Sequence, residues 1–393
     1  MKIIYITTSV IPAEKANSYQ TMKMCEAFTK LGGEVELIIP VRFGGVVEKA
    51  NPFEYYGIRE KFKIKRVFSL DLIPFKKYIG HLGFWVQNIS FALLTLIYLF
   101  FKRSDIIYSR DRFTLLFLSL FKKNLIYEAH SLPSKFRFYE KFLYQRIKFV
   151  IVITKLMREI LMKESIKEKN RIFVAPDAVD LEMFDRINKS KEELRQELNL
   201  PQHKILISYI GQFYTKGREK GLGDMLRALK ILKDEGRGDL MMMFVGGKEE
   251  EIRDYQEETK RVGLLNRDLI FVKRVPFSEV PRYEKASDIL VIPFPWEKHY
   301  AYYCSPLKLF EYMASRKPIV ASDLPSIREI LNERNSILVK PGDPSSLAKG
   351  IEEFLNKPDL AKRVSEQASK DVQKYTWGRR AKKILEFIHK SIH

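Results

Sequence analysis

Short runs of β-branched and apolar residues, each too brief for a helix, recur along the whole chain and alternate with segments of helical period. In the first half the runs fall at residues 3–7, 35–39, 105–108, 125–127 and 149–153, with a helix predicted over 19–31. In the second half they fall at 205–210, 240–245, 268–272, 289–292 and 318–321, with helices over 222–232 and 249–262. A strand that is apolar throughout is buried on both faces, and strands separated by helices pair in parallel through crossovers. The pattern predicts an α/β protein with two Rossmann-like, doubly wound sheets. Ligands of such sheets bind beyond the carboxyl ends of the strands, so two facing sheets would leave a ligand cleft between them.

A chain of 393 residues, 46% of them hydrophobic, exceeds a single ordinary core. The expected division is an N-terminal domain over 1–183, a C-terminal domain over 184–372 and a final amphipathic helix over 373–393 that packs back across the junction. A linker is expected at 176–189, followed by a charged helix over 191–198. Two cysteines far apart in sequence, Cys25 and Cys304, provide neither a disulfide framework nor a zinc pattern, which fits a reducing, cytoplasmic setting. The start Met1-Lys2-Ile3-Ile4-Tyr5-Ile6 enters a strand at once and lacks the features of a secretory signal.

The net charge of +20 is uneven: residues 1–190 hold 32 Lys and Arg against 19 Asp and Glu, while the remainder holds 37 against 30. An anionic partner for the first half is implied, whether lipid, nucleic acid or phosphorylated substrate. The apolar segment 84–101 is interrupted only by Gln87, Asn88, Ser90 and Thr95. It reads as a helix on the first sheet or as an interfacial contact helped by Lys76, Lys77, Lys102 and Arg103, and it is short for a membrane span.

Two stretches carry chemistry. Ser305-Pro306-Leu307-Lys308-Leu309-Phe310-Glu311-Tyr312-Met313-Ala314 reads as a turn entering a helix, followed by a buried strand. Free amides at a helix N-terminus and a Lys suit a phosphate, and a carboxylate one turn on can accept both hydroxyls of a ribose. The turn from Gly211 to Gly221 follows a strand and precedes a helix, and it carries Gln212, Lys216, Arg218 and Lys220. Alone, such a turn is an ordinary solvated charge cluster; with the first stretch it becomes the second side of one pocket.

These two motifs in this order resemble family 4 of the glycosyltransferases, which have the GT-B fold of two Rossmann-like domains facing across a cleft, with a C-terminal helix returning toward the first domain. Three further pieces agree: Ala16 to Cys25 with Leu31 to Val35, Arg171 to Leu181, and Ala286 to Pro293 with Val339 to Asp343. The resemblance implies a retaining transfer of a hexose-type sugar from a nucleotide-sugar donor, with no metal and no other cofactor. It implies that Glu311 holds the ribose and that the backbone of Pro306 and Leu307 faces the diphosphate. Lys216 or Lys220 would neutralise the leaving phosphate with help from Lys308, while Gly211, Gln212, Arg218, Tyr303 and Ser305 complete the donor side. His130, closing the strand that contains Glu128, matches the place of a His near the transferred sugar; the plain alternative is a structural His. Asn17 and Ser18, in the loop after the first strand, match residues near the donor phosphate or acceptor, or else cap the first helix. Arg110-Asp111-Arg112 lines the acceptor side or forms a surface ion-pair cluster. Two positions depart from the family pattern: Tyr303 stands where a sugar-contacting Glu is usual, and Gln212 where an Arg is usual.

The function expected is assembly of a cell-surface polysaccharide or glycolipid, on a glycan or lipid-linked acceptor, by a cytoplasmic enzyme peripheral to an anionic membrane, with no nucleic-acid partner. A GT-B sugar-nucleotide epimerase or phosphorylase-like transferase shares the fold, and an inactive basic module that binds membrane or nucleic acid remains the reading from another class.

Overall fold

The computed structural model describes residues 1–42, 50–72, 75, 78, 80–215 and 217–390. The chain divides into two compact units, one made of Met1–Pro176 with Trp377–His393, the other of Asp177–Thr376.

The sheet of unit 1 holds seven parallel strands: β1 (Lys2–Ile6), β2 (Glu34–Pro40), β3 (Lys63–Val67), β4 (Ile106–Ser109), β5 (Leu125–Ala129), β6 (Phe149–Val152) and β7 (Ile172–Val174). Their order, β3-β2-β1-β4-β5-β6-β7, reverses direction beside β1, as in a doubly wound sheet. The helices used below are α1 (Ala16–Lys30), α2 (Leu82–Leu99) and α3 (Arg112–Leu118). Strands β4, β5 and β6 are buried at every residue, so helices must cover both faces.

Unit 2 contains a six-stranded parallel sheet in the order β12-β11-β8-β13-β14-β15, with a separate two-stranded hairpin β9-β10. Its strands are β8 (Ile205–Ile210), β9 (Tyr214–Thr215), β10 (Arg218–Glu219), β11 (Leu240–Gly247), β12 (Leu269–Lys273), β13 (Ile289–Ile292), β14 (Ile319–Ser322) and β15 (Ile337–Val339). Helices α4 (Leu222–Asp234), α5 (Val280–Ala286) and α6 (Leu307–Ala314) belong to this unit, and α7 (Trp377–Lys390) belongs to unit 1. The eight residues of β11 are all buried, which is why Leu-Met-Met-Met-Phe-Val shows no polar alternation.

Each predicted strand is present, with every end within two residues of the expected one and with 205–210 and 289–292 unshifted. Strands β3, β7 and β15 and the β9-β10 hairpin escape the sequence reading: β3 alternates Lys and Ile at a sheet edge, and the others have only two or three residues. The unit boundaries fall at Pro176/Asp177 and Thr376/Trp377 instead of 183/184 and 372/373. The cause is local bonding. The Asp177 N–H donates to Ser305 Oγ at 2.9 Å, and the Val179 N–H donates to Tyr375 O at 2.9 Å, so both segments are stitched into unit 2. The expected linker also contains a short helix, Leu181–Asp185, ahead of Lys191–Glu197.

Helix α7 joins unit 1 through an apolar row, Trp377, Ala381, Ile384 and Ile388, spaced for one helix face. The Trp377 ring meets Tyr19 of α1 edge-on at 6.3 Å, and the Phe387 ring stacks on Phe173 at 5.0 Å. Within that apolar row sits Arg380. Its guanidinium donates to both oxygens of Glu128 at the end of β5, at 3.2 and 3.1 Å, and to the carbonyls of Pro176 and Ala175 at 2.8 and 3.2 Å. Arg380 is 5% and Glu128 2% exposed, so neither charge has water as an alternative partner. Removing one partner of a buried pair strands the other, at a cost of about 3 to 5 kcal/mol. Arg380→Met should therefore lower unit 1 stability by that order in urea denaturation, and Arg380→Met with Glu128→Met should recover part of the loss; a fully stable single variant would contradict this account.

Candidate functional site

In unit 2, strand β8 ends at Ile210 and the chain turns at Gly211, whose N–H donates to Val245 O of β11 at 2.7 Å. A Cβ at Gly246 would lie 2.7 Å from the Gly211 carbonyl oxygen, so the two turns touch backbone to backbone at the carboxyl ends of adjacent strands. Gly211 itself has φ +132°, and a Cβ there would lie 2.8 Å from Lys308 Nζ. The Tyr209 hydroxyl donates to Gln212 O at 2.7 Å, which fixes the start of the turn.

Helix α6 begins directly after Pro306, so the amides of Leu307 and Lys308 lie in its first turn, where helical N–H groups lack intrahelical acceptors. Its register on the sheet is set by Tyr312, whose hydroxyl accepts from the Ile210 N–H at 2.8 Å and donates to Ile210 O at 3.3 Å. Ser305 Oγ is engaged by the Asp177 N–H. Tyr303 is buried, next to the short helix Lys298–Tyr302.

Lys308 turns inward beneath Gly211. Its Nζ stands 3.3 Å from the Tyr209 ring centroid and has no hydrogen-bond partner among the described residues. Burial, followed by the charge of Lys220, pushes this ammonium well below its usual range, against the pull of Glu311 and Glu284. Burial likewise pushes Lys220 down to about 8 and the Cys304 thiol up to about 12. Glu311, partly exposed on α6, is pushed up to about 7 by burial, with Lys308 opposing. Behind it lies Glu284 of α5, fully buried, both of its carboxyl oxygens without a partner among the described residues. Burial first, then the charge of Glu311, raise its pKa well above the usual carboxylate range, and Lys308 again opposes.

The structure thus gathers Gly211, Lys220, Cys304, Lys308, Glu311 and Glu284 into one corner of unit 2. Arg218 is drawn aside: on β10 it pairs with Glu297 at 2.9 Å. Lys216 lies outside the described residues. Sequence reasoning missed Glu284, although a carboxylate sharing a short helix with buried Pro281 and Ala286 is a legible signal of a buried acid.

Unit 1 carries a second group of polar residues. His130 Nε2 lies 2.6 Å from Glu128 Oε1, and Tyr108 also hydrogen-bonds Glu128. Burial alone would raise the Glu128 pKa, but Arg380, His130 and Arg110 hold it well below the usual range. Burial and then Arg110 push His130 down to about 4, so the imidazole is neutral at pH 7. An ionised carboxylate only accepts, which puts the proton of the neutral ring on Nε2 and leaves Nδ1 as an acceptor.

Asn17 and Ser18 do not lie in the loop after β1, nor does either cap the helix; they occupy the first turn of α1, whose N-cap is Lys15. Asn17 Nδ2 donates to Ser9 Oγ at 2.8 Å and Ser18 Oγ to Val10 O at 2.8 Å, so both hold the loop against the helix. Arg110, Asp111 and Arg112 do not pair with one another. Arg110 donates to Gln20 at 2.6 Å, Asp111 caps α3 by accepting from Phe113 and Thr114, and Arg112 meets Glu140 at 3.1 Å. Among the described residues no three His, Cys, Asp or Glu are grouped to hold a metal ion.

The family model described as Glycosyl transferases group 1 matches residues 190–371, the segment that contains the Gly211–Glu311 corner. The match is to the group 1 glycosyltransferase family and lies over residues 190–371. The chain is 26% identical over 192 residues to the putative teichuronic acid biosynthesis glycosyltransferase TuaC of Bacillus subtilis (strain 168), covering 48% of this chain and 43% of that protein. It spans about half the length of the curated relatives it matches, 43% of TuaC and 58% of a second. In fold it matches a glycosyltransferase from Rickettsia africae ESF-5 with a TM-score of 0.77 and 17% identity, over 100% of this chain and 98% of that one. Anabaena Alr3699/HepE in complex with UDP matches with a TM-score of 0.73 and 15% identity, over 99% and 100% of the two chains, and that protein is also solved with UDP-glucose. The chain has the GT-B fold, and the matched segment 190–371 forms most of unit 2.

Glu284 supplies a direct test of the corner's electrostatics. A carboxyl whose pKa is raised by folding adds nothing below the unfolded value near 4.3, and it costs stability increasingly as pH rises above it. Glu284→Gln should therefore match the wild type near pH 4 and become the more stable of the two as pH climbs through neutrality, read by urea midpoints across pH; parallel profiles would refute the burial of an unpaired acid there.

Proposed function

We propose that this chain is a glycosyltransferase that moves a hexose-type sugar from a nucleoside-diphosphate sugar, with retention, to a glycan or lipid-linked acceptor in cell-surface polysaccharide or glycolipid synthesis. It works in the cytoplasm at an anionic membrane surface and needs no metal. The observation that carries the reading is the corner of unit 2, where the first turn of α6, Lys220 and Glu311 stand beside the tight Gly211 turn. The match to the group 1 family supports it, as does a fold shared with a protein solved with UDP and with UDP-glucose.

In this reading Glu311 accepts the two ribose hydroxyls. The amides of Leu307 and Lys308, after Pro306, meet the diphosphate at the positive end of α6. Lys220 is the catalytic cation: negative charge grows on the diphosphate as the glycosidic bond breaks, so a cation held there lowers the barrier. Lys308 steadies Gly211 from beneath, and Gln212, Tyr303 and Ser305 border the donor. His130, with Nδ1 as acceptor, takes a hydrogen bond from a sugar hydroxyl, and Asn17 and Ser18 shape the loop after β1 for donor phosphate or acceptor.

Calorimetry with UDP-, GDP- and ADP-sugars should find one base that binds, and Glu311→Ala should weaken it at least tenfold. Affinity should rise as pH passes about 7, where Glu311 ionises, and fall beyond about 8, where Lys220 loses its proton; Lys220→Gln should remove the alkaline limb. No binding by any nucleotide sugar would overturn the proposal.

A further inference from the structure

Helix α2 is turned the opposite way from an ordinary amphipathic surface helix. Its inward face carries the polar side chains Gln87, Asn88 and Thr95, exposed by 3% or less, with Phe91, Ala92 and Leu99. Gln87 Nε2 and Thr95 Oγ1 are buried with no hydrogen-bond partner among the described residues, a costly arrangement. Its outward face carries Trp85, Ile89, Leu93 and Ile97, exposed by 38 to 67%, at intervals of four residues that continue to Phe101, exposed by 92%. Residues four apart form one ridge on a helix. The helix holds no charged residue over its 18 positions, and at its C-terminal end Phe100 packs against Phe121, itself 56% exposed.

Water would favour the reverse rotation of this helix, with the aromatic and aliphatic ridge inside. Soluble monomers seldom expose a contiguous apolar patch beyond a few hundred Å² without a partner for it.

The rim of the patch identifies the partner. Just beyond Phe101 and Phe121, the residues Lys102, Arg103, Lys122 and Lys123 border one surface depression with Lys2 and Asp105. Lys102 is held by Glu36 and Lys122 by the carbonyls of Phe100 and Lys102, while Arg103 and Lys123 are exposed. An apolar ridge that ends in basic residues complements acyl chains beneath anionic headgroups.

We infer that the outward face of α2, with Phe101, Phe121 and the basic rim of Arg103 and Lys123, is the surface by which unit 1 docks on an anionic lipid bilayer. The helix lies in the interface plane. Its polar side remains packed on the protein, and the ridge from Trp85 to Phe101 enters the acyl boundary. This rests on the membrane part of the proposed function and gives that part its surface.

Flotation of the full chain without any sugar donor tests it, using phosphatidylcholine vesicles with and without about one third phosphatidylglycerol. The wild type should float with the anionic vesicles, less with neutral ones and less at high salt, and Trp85 emission should shift to the blue. Leu93→Glu with Ile97→Glu should cut partitioning at least tenfold, and Arg103→Glu with Lys123→Glu should remove the preference for anionic lipid. Both variants should keep the wild-type urea midpoint and nucleotide affinity. Failure of the wild type to float, an undiminished ridge variant, or self-association in size exclusion that the ridge variant abolishes would overturn the inference. Vesicle binding without binding of any nucleotide sugar would sink the transferase reading alone.

Discussion

The buried pair Arg380–Glu128 is the constraint on which unit 1 depends. An arginine inside the apolar row of the last helix cannot be left without an acceptor, and Glu128 together with the carbonyls of Ala175 and Pro176 supplies acceptors at the carboxyl end of the sheet. This draws the last helix into unit 1, although the chain has passed through the whole of unit 2 before reaching it. The same pairing keeps Glu128 ionised, and an ionised Glu128 decides the tautomer of His130. A structural ion pair thereby sets what a neighbouring imidazole can do chemically.

Unit 2 follows a different logic. Two carboxyls and two ammonium groups share a corner from which most water is excluded; burial shifts all four, and Lys308 feels the charges of the other three. The Glu284 carboxyl and the Lys308 ammonium are buried without hydrogen-bond partners among the described residues, so their mutual presence moderates the cost of burying either. Glu311 stands between this buried set and solvent, and its pKa near neutrality makes it the group whose charge a ligand can most readily change.

The orientation of α2 is a third decision of the same kind. A polar stripe packed inward and an apolar ridge turned outward lower the stability of the free protein in water, and a lipid surface reverses the sign of that term.

The parallel strands, the two-unit division, and the motifs from Gly211 to Lys220 and from Ser305 to Glu311 were legible because they depend on local pattern: unbroken apolar runs, glycines before helices, and one carboxylate a turn into a helix. Lys308 illustrates where pattern stops. Its type and place were evident, but its direction, beneath Gly211 and over Tyr209, depends on a strand some 100 residues earlier. Asn17 and Ser18 moved from loop to helix because their side chains hold the loop. Glu284 and Arg380 were passed over because a charge among apolar neighbours gains meaning only from the partner that folding brings to it. The sequence by itself determined which segments become strands and helices, since that is a matter of periodicity and backbone preference. Tertiary structure alone decided which charges meet, which lose water and which face of α2 looks outward, because those follow from contacts between segments far apart in the chain.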